Sequence, residues 1–351
     1  MRSRHLGGLA VLVATVPVLV AGCSTAGRAG PGPAVVVAQS GAALHEPVWS
    51  AGTHALLALT DDGRVARVDP GGAGRPASST VSAPLGRLGE DVVDDPDDPT
   101  KAFVAQPDEG RVLVLDATDL RPVGSMVLGP EPDYLATDDG ARTLLALSED
   151  RTTVSGVDLG NQRPLPPQDV HASHDAELDG AARGRPVEYH VLGSDGITHY
   201  KGAPGPVEET GRIDVRAGHS AGDEVKVDRL YVAERDSDRL LAVETPPDRE
   251  GLSVVATADL GSPVLDVGTD ETRVYAATDD ALVVFETASF IGYPDGHLHR
   301  IATIPFRDAL PDGPARSASV SGLAVGPDRI WLTLDGQDTV VGIARPPIPD
   351  P

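Results

Sequence analysis

The 351-residue chain predicts an all-β fold, a single seven-bladed β-propeller, and three observations carry that prediction. A strand–turn–strand unit recurs seven times after residue 50. Gly and Pro, 39 and 31 residues, supply turns throughout and leave little room for long helices. No segment keeps its apolar residues in step with the 3.6-residue helical period, so an α/β fold lacks its helices.

The recurring unit is an apolar strand, a polar turn, and an alternating strand closing on an acid. It reads Leu56-Leu57-Ala58-Leu59-Thr60-Asp61-Asp62-Gly63-Arg64-Val65-Ala66-Arg67-Val68-Asp69 in its first copy. It returns as AFVAQPDEGRVLVLD, TLLALSEDRTTVSGVD, YHVLGSDGITHY, RLYVAERDSDRLLAVE, RVYAATDDALVVFE and RIWLTLDGQDTVVGI. Aligned on a central small or apolar residue, the copies fall at Ala58, Ala105, Ala146, Leu192, Ala233, Ala277 and Thr333. A spacing of roughly 40–50 residues with several strands per unit is that of propeller blades. Short apolar segments ending in Asp/Gly turns precede several copies, as at Tyr134, Val264 and Leu323, and predict each blade's inner strand.

The elements before and after the repeats follow in order. Arg2 and Arg4 precede an apolar run over Leu6–Val20, too short to span a bilayer and of the length of a signal-peptide core. It closes on Val20-Ala21-Gly22-Cys23, which resembles a bacterial lipobox. The resemblance implies cleavage after residue 22 and a diacylglycerol, with palmitate, on Cys23. The mature chain then sits on the extracytoplasmic face of the cytoplasmic membrane. Its net charge moves from −24 to −26 with the loss of Arg2 and Arg4. Residues 23–33, STAGRAGPGP after the Cys, form a flexible linker. Ala34–Ala38 is an orphan strand without a hairpin, and the seventh unit ends in ARPPIPDP, which cannot supply an outer strand. The orphan is therefore expected to complete the last blade, giving a propeller over 34–345 and a disordered tail over 346–351.

The repeats resemble YVTN-type (WD40-like) β-propeller repeats, Leu230-Tyr231-Val232-Ala233 with Arg239-Leu240-Leu241-Ala242-Val243 being the nearest copy. The resemblance covers roughly residues 50–343 and implies architecture, since propellers host unrelated activities. There is no Trp-Asp dipeptide, and the only tryptophans are Trp49 and Trp331.

Composition narrows the function. With 53 acidic and 29 basic residues the chain lacks the basic face that nucleic acid needs. Two Trp, six Tyr and four Phe leave few stacking platforms. A single Cys excludes a disulfide scaffold and a thiolate cluster.

Three motifs remain. Gly218-His219-Ser220-Ala221-Gly222 matches the G-x-S-x-G elbow of serine hydrolases, with His297 or His299 as the only downstream bases, but its flanks read as strand on the helix side. Histidines fall where inner strands are expected: His45 in blade 1, His171 and His174 in blade 4, His219 in blade 5. With Glu46, Asp175 and Glu177 they form a candidate Zn²⁺ site in the channel, the ligands being His171, His174, His219, His45 and Asp175. His171 and His174 are three apart, so a regular strand would point them to opposite faces. Such a site resembles propeller-type zinc metallochaperones that serve extracytoplasmic metal import, although no D-H-x-D-H loop is present. His297 and His299 are expected on an outer strand. The stretch Glu90–Asp98 lacks the Gly of a calcium loop and reads as a solvated blade loop.

The sequence thus favours a non-catalytic, membrane-anchored lipoprotein that binds a ligand or an envelope partner protein. Zinc capture through channel histidines is the first alternative. A propeller lactonase-like or serine hydrolase activity is the second.

Overall fold

The computed structural model describes residues 34–71, 76–202, 206–245 and 251–347. The expected signal peptide, Cys23, the expected linker and the last four residues lie outside the described residues. Seven antiparallel sheets form the propeller, each built from strands consecutive in sequence except the last. Blade 1 runs Leu44–Ser50, Ala55–Thr60, Arg64–Asp69, Ser78–Val81, from inner to outer strand. The remaining inner strands are Val92–Asp94, Pro132–Asp138, Glu177–Gly180, Ala217–Gly222, Asp266–Thr269 and Val320–Val325. Blade 3 has a broken outer strand, Arg163–Pro164 and Gln168–Asp169, both on the third strand.

The second strands are apolar without alternation because a blade is covered on both faces by its neighbours. Ala55–Thr60 and Thr143–Ser148 are buried at every position. The core is accordingly divided into layers between blades. One holds Tyr231, Leu240 and Ala242 of blade 5 against Val274, Val283 and Phe285 of blade 6. Another packs Trp331 of blade 7 with Leu56 and Ala58 of blade 1. Trp49 and Trp331 stack almost parallel there, 6.3 Å apart. Gly342 is required beside them, since a Cβ would come within 2.3 Å of the Trp331 ring.

The N-terminal strand is Val35–Gln39, and it pairs antiparallel with Thr339–Ala344 from Val35↔Ile343 to Gln39↔Thr339. Blade 7 therefore takes its outer strand from the start of the chain, as expected. Each blade turns from inner to second strand, and from third to outer strand, on one face of the disc, here called the lower face. The chain enters blade 7 at Ala34 on that face, where Ala34 O accepts the Ala344 amide.

Three placements correct the sequence reading. Glu90–Asp98 is not a solvated loop. It contains the inner strand of blade 2, and Asp91 and Asp95 are buried. The charged residues flanking Val92-Val93 hid this strand. His171 and His174 are not on the inner strand of blade 4, which begins at Glu177. Both are exposed in the segment leading into it. His297 and His299 likewise precede the outer strand Arg300–Pro305.

Candidate functional site

The inner strands and the residue leading into blade 2 bring Glu46, Asp91, Tyr134, Glu177, His219, Asp266 and Gly322 to neighbouring levels of the central channel. The ladders set Glu177, Asp266 and Gly322 opposite Leu192, Ala277 and Thr333, the repeat's central positions, while Tyr134 faces Leu147, one place from Ala146. Blades 1 and 5 reach the level through bulges, between His45 and Val48 and between Ala217 and Ser220. Glu46 adopts a positive φ of 45° within the first of these. The strands converge tightly beside the ring. Gly180 has no room for a side chain, since a Cβ would lie 2.1 Å from Thr137 O of blade 3.

The channel opens toward the lower face as a cavity of about 360 Å³, lined among others by Glu46, Asp91, Tyr134, Asp179, Ser220 and Glu224. A second hollow of about 390 Å³ adjoins it on the same face and shares Glu224 and Thr269. Trp49, His54, Asp270 and Arg345 also line that hollow. Arg345 is fixed there by an ion pair to Asp270 and lies over the Tyr275 ring.

Desolvation dominates the electrostatics of the ring. Burial, then the neighbouring charge of Asp266, pushes the Glu46 carboxyl up to about 8. Burial and Asp266 do the same to Glu177, also to about 8. Asp91 is raised well above the usual carboxylate range by burial, although its carboxylate accepts the Leu135 amide at 2.9 Å. Burial raises Asp266 too, opposed by His219. Asp179, one step further along blade 4, rises to about 7. Tyr134 is held in its neutral form by burial and by Glu177, Asp91, Glu46 and Asp266.

The structure brings only part of the expected histidine set to this place. His219 is in the ring, with Nδ1 3.4 Å from Glu177 Oε1. His45 is on the inner strand of blade 1 but leans to the opposite face, where Asp61 Oδ1 is 4.0 Å away. Burial lowers its basicity despite Asp61 and Asp335. His171 and His174 are outside the channel wall. Asp175 is committed elsewhere: its carboxylate takes Ser194 Oγ at 2.9 Å and Arg235 at 2.7 Å. Burial opposes ionisation there, but the hydrogen bonds from Ser194 and the Arg235 charge bring it down to about 2. Among the described residues no three His, Cys, Asp or Glu side chains converge to hold a metal ion.

Ser220 sits within the inner strand Ala217–Gly222 and pairs with Val232. It is therefore not on the strand-to-helix turn that a nucleophile elbow needs. His299 lies in blade 6, bonded to Asp295 at 3.1 Å.

Asp91, Tyr134 and Asp266 are the ring members that motif reading missed. Their signal was present: placing the inner segments in register gives intervals of 45, 43, 43, 42, 47 and 56 between successive ring positions. One polar or charged residue recurs at six of the seven.

No family model and no curated protein matches the chain. Solved structures do. A chain of the crystal structure of a mitotic checkpoint complex superposes with a TM-score of 0.66 at 13% identity, covering 98% of this chain and 99% of that one. The structure of U3-55K matches with a TM-score of 0.62 at 10% identity, over 89% and 98%. At these identities the likeness is one of fold, the seven-bladed propeller.

Proposed function

We propose that this chain is a non-catalytic, lipid-anchored extracytoplasmic propeller of the YVTN repeat type that binds a ligand or partner protein at the mouth of its channel. The observation that supports this most is the ring itself. Glu46, Asp91 and Tyr134 line a cavity large enough for a small ligand, and Glu177 and His219 meet on the adjoining inner strands. Buried carboxylates held protonated at neutral pH are poised to exchange protons for a cationic group of the ligand. A bound cation would offset the burial that keeps those protons on and the smaller mutual repulsion of the carboxylates.

The test is titration calorimetry of the full-length protein with putrescine and with Zn²⁺ as probe cations, alongside crosslinking in intact envelopes. Saturable binding of putrescine, lost in Glu46→Gln/Glu177→Gln, or one dominant crosslinked partner, supports the reading. The absence of both overturns it. Zinc capture is the second reading, and the His219–Glu177 contact beside Asp266 favours it. It expects zinc retained through purification without added metal and lost in His219→Ala, whereas His171→Ala/His174→Ala leaves it unchanged.

A further inference from the structure

We propose that the Phe290–Ile291 tip of blade 6 docks the propeller's lower face on the lipid bilayer, a proposal that rests on Cys23 being the lipid attachment site. Phe290 is 90% and Ile291 77% exposed, in a chain whose other aromatics are absent from the exposed apolar set. They occupy the turn between the third and outer strands, residues 287–299, and so project from the lower face.

The tip is built to be presented. Gly292 N donates to Ala288 O at 2.8 Å, closing a tight turn with Ala288 at a φ of 46°. Ser289 Oγ is bonded to both carboxylate oxygens of buried Asp223 in blade 5, at 2.9 and 2.8 Å. Tyr293 is buried at the turn's base. Its hydroxyl lies 2.6 Å from Thr287 O and 3.2 Å from the Tyr231 hydroxyl, and the Arg229 guanidinium covers its ring. Leu298 packs into the same interblade layer. A fixed base with two large apolar side chains at its apex resembles an anchor more than an unpacked loop.

Topology selects lipid over a protein partner. Ala34, where the chain enters, is on the adjacent blade and the same face. The eleven residues of 23–33 span at most roughly 40 Å when extended. A lipid on Cys23 therefore starts its tether from this face, so the shortest path to the membrane turns the Phe290–Ile291 side toward the bilayer. With the net charge of −26 expected after cleavage the protein is repelled by anionic lipid, so two apolar residues cannot recruit it from solution. Beside a tether they need only set orientation, because the effective concentration is already high.

The test uses full-length lipidated protein in vesicles of phosphatidylcholine with a minority of phosphatidylglycerol. An environment-sensitive fluorophore is placed at Ile291→Cys and, as control, at Glu109→Cys on the opposite face. Docking expects a blue-shifted emission at 291 and several-fold stronger quenching by spin-labelled lipid than at 109. It also expects Phe290→Ser, combined with the 291 label, to abolish that difference. Co-sedimentation with a water-exposed probe at 291 overturns docking alone. Protection that appears only with added envelope proteins overturns it in favour of a protein partner. Failure to co-sediment overturns the tether, and docking falls with it.

Discussion

His219 Nδ1 and Glu177 Oε1 lie 3.4 Å apart across the gap between blades 4 and 5, joining two inner strands at the level of the channel ring. Their neighbours Glu46 and Asp266 leave the ring with more carboxylates than it can hold ionised, and this has a measurable thermodynamic sign. Glu46 and Glu177 are held up to about 8 in the fold, against 4.5 in the open chain. Between those values the native state keeps protons that the unfolded state has released, so stability falls as pH rises. The Tm should drop by at least about 2 °C from pH 6.5 to 8.5. Glu177→Gln should flatten that slope in differential scanning calorimetry.

Ligand binding carries the opposite dependence. A cation needs the ionised ring, so the affinity for Zn²⁺ or putrescine should rise with pH up to about 8. Protons should be released on binding. Calorimetry in buffers of different ionisation enthalpy counts them, and a count of zero would remove the ring from the binding event.

Blade 4 contains a group that acts on the acid side. His190 is buried, stacked on His199 at 4.7 Å, and its Nε2 has no hydrogen-bond partner. Burial holds its basicity well below the usual 6.5. The unfolded chain takes up a proton there that the native state refuses, so stability falls as pH drops below 6.5. His190→Phe removes the unpaired nitrogen and should raise Tm at pH 5 more than at pH 7.5.

Arg151 is only 2% exposed and holds Asp133 at 2.8 Å and Glu90 at 2.8 Å, tying blade 3 to the entrance of blade 2. Arg151→Ala leaves Asp133 buried and unpaired, which costs about 3–5 kcal/mol. Denaturant unfolding should show the loss in midpoint, while a surface pair such as Arg121–Asp119 should show almost none on disruption.

Ser220 is a strand residue, and Ser220→Ala should leave stability nearly unchanged. Labelling of Ser220 by a fluorophosphonate would contradict its assignment to the channel wall.

The fold was legible because second and third strands carry their own signature. They are buried on both faces, so their apolar runs and Asp/Gly turns survive divergence among copies. The N-terminal clasp was legible for a complementary reason: Val35-Val36-Val37 had no hairpin, and blade 7 had no fourth strand. Inner strands were harder to read because one side faces the channel. Val92-Val93, flanked by Glu90, Asp91, Asp94 and Asp95, looked like a loop. His171 and His174 looked like channel ligands because the inner strand of blade 4 was set some six residues too early. The ring emerged only when register replaced motif as the guide, since no short pattern joins residues contributed by separate blades.

The antiparallel pairing of Val35–Gln39 with Thr339–Ala344 also sets an order of assembly. The first strand of the propeller waits some 300 residues for its partner. Blades 1 to 6 can stack as the chain appears, but the ring stays an open arc with two bare edges until the last strand arrives. A premature stop before residue 339 would leave a triple-valine edge unpaired, a template for aggregation. Substituting both Val36 and Val37 by Pro should expose the same hazard in the complete chain, as lost cooperativity and early proteolysis at blade 7.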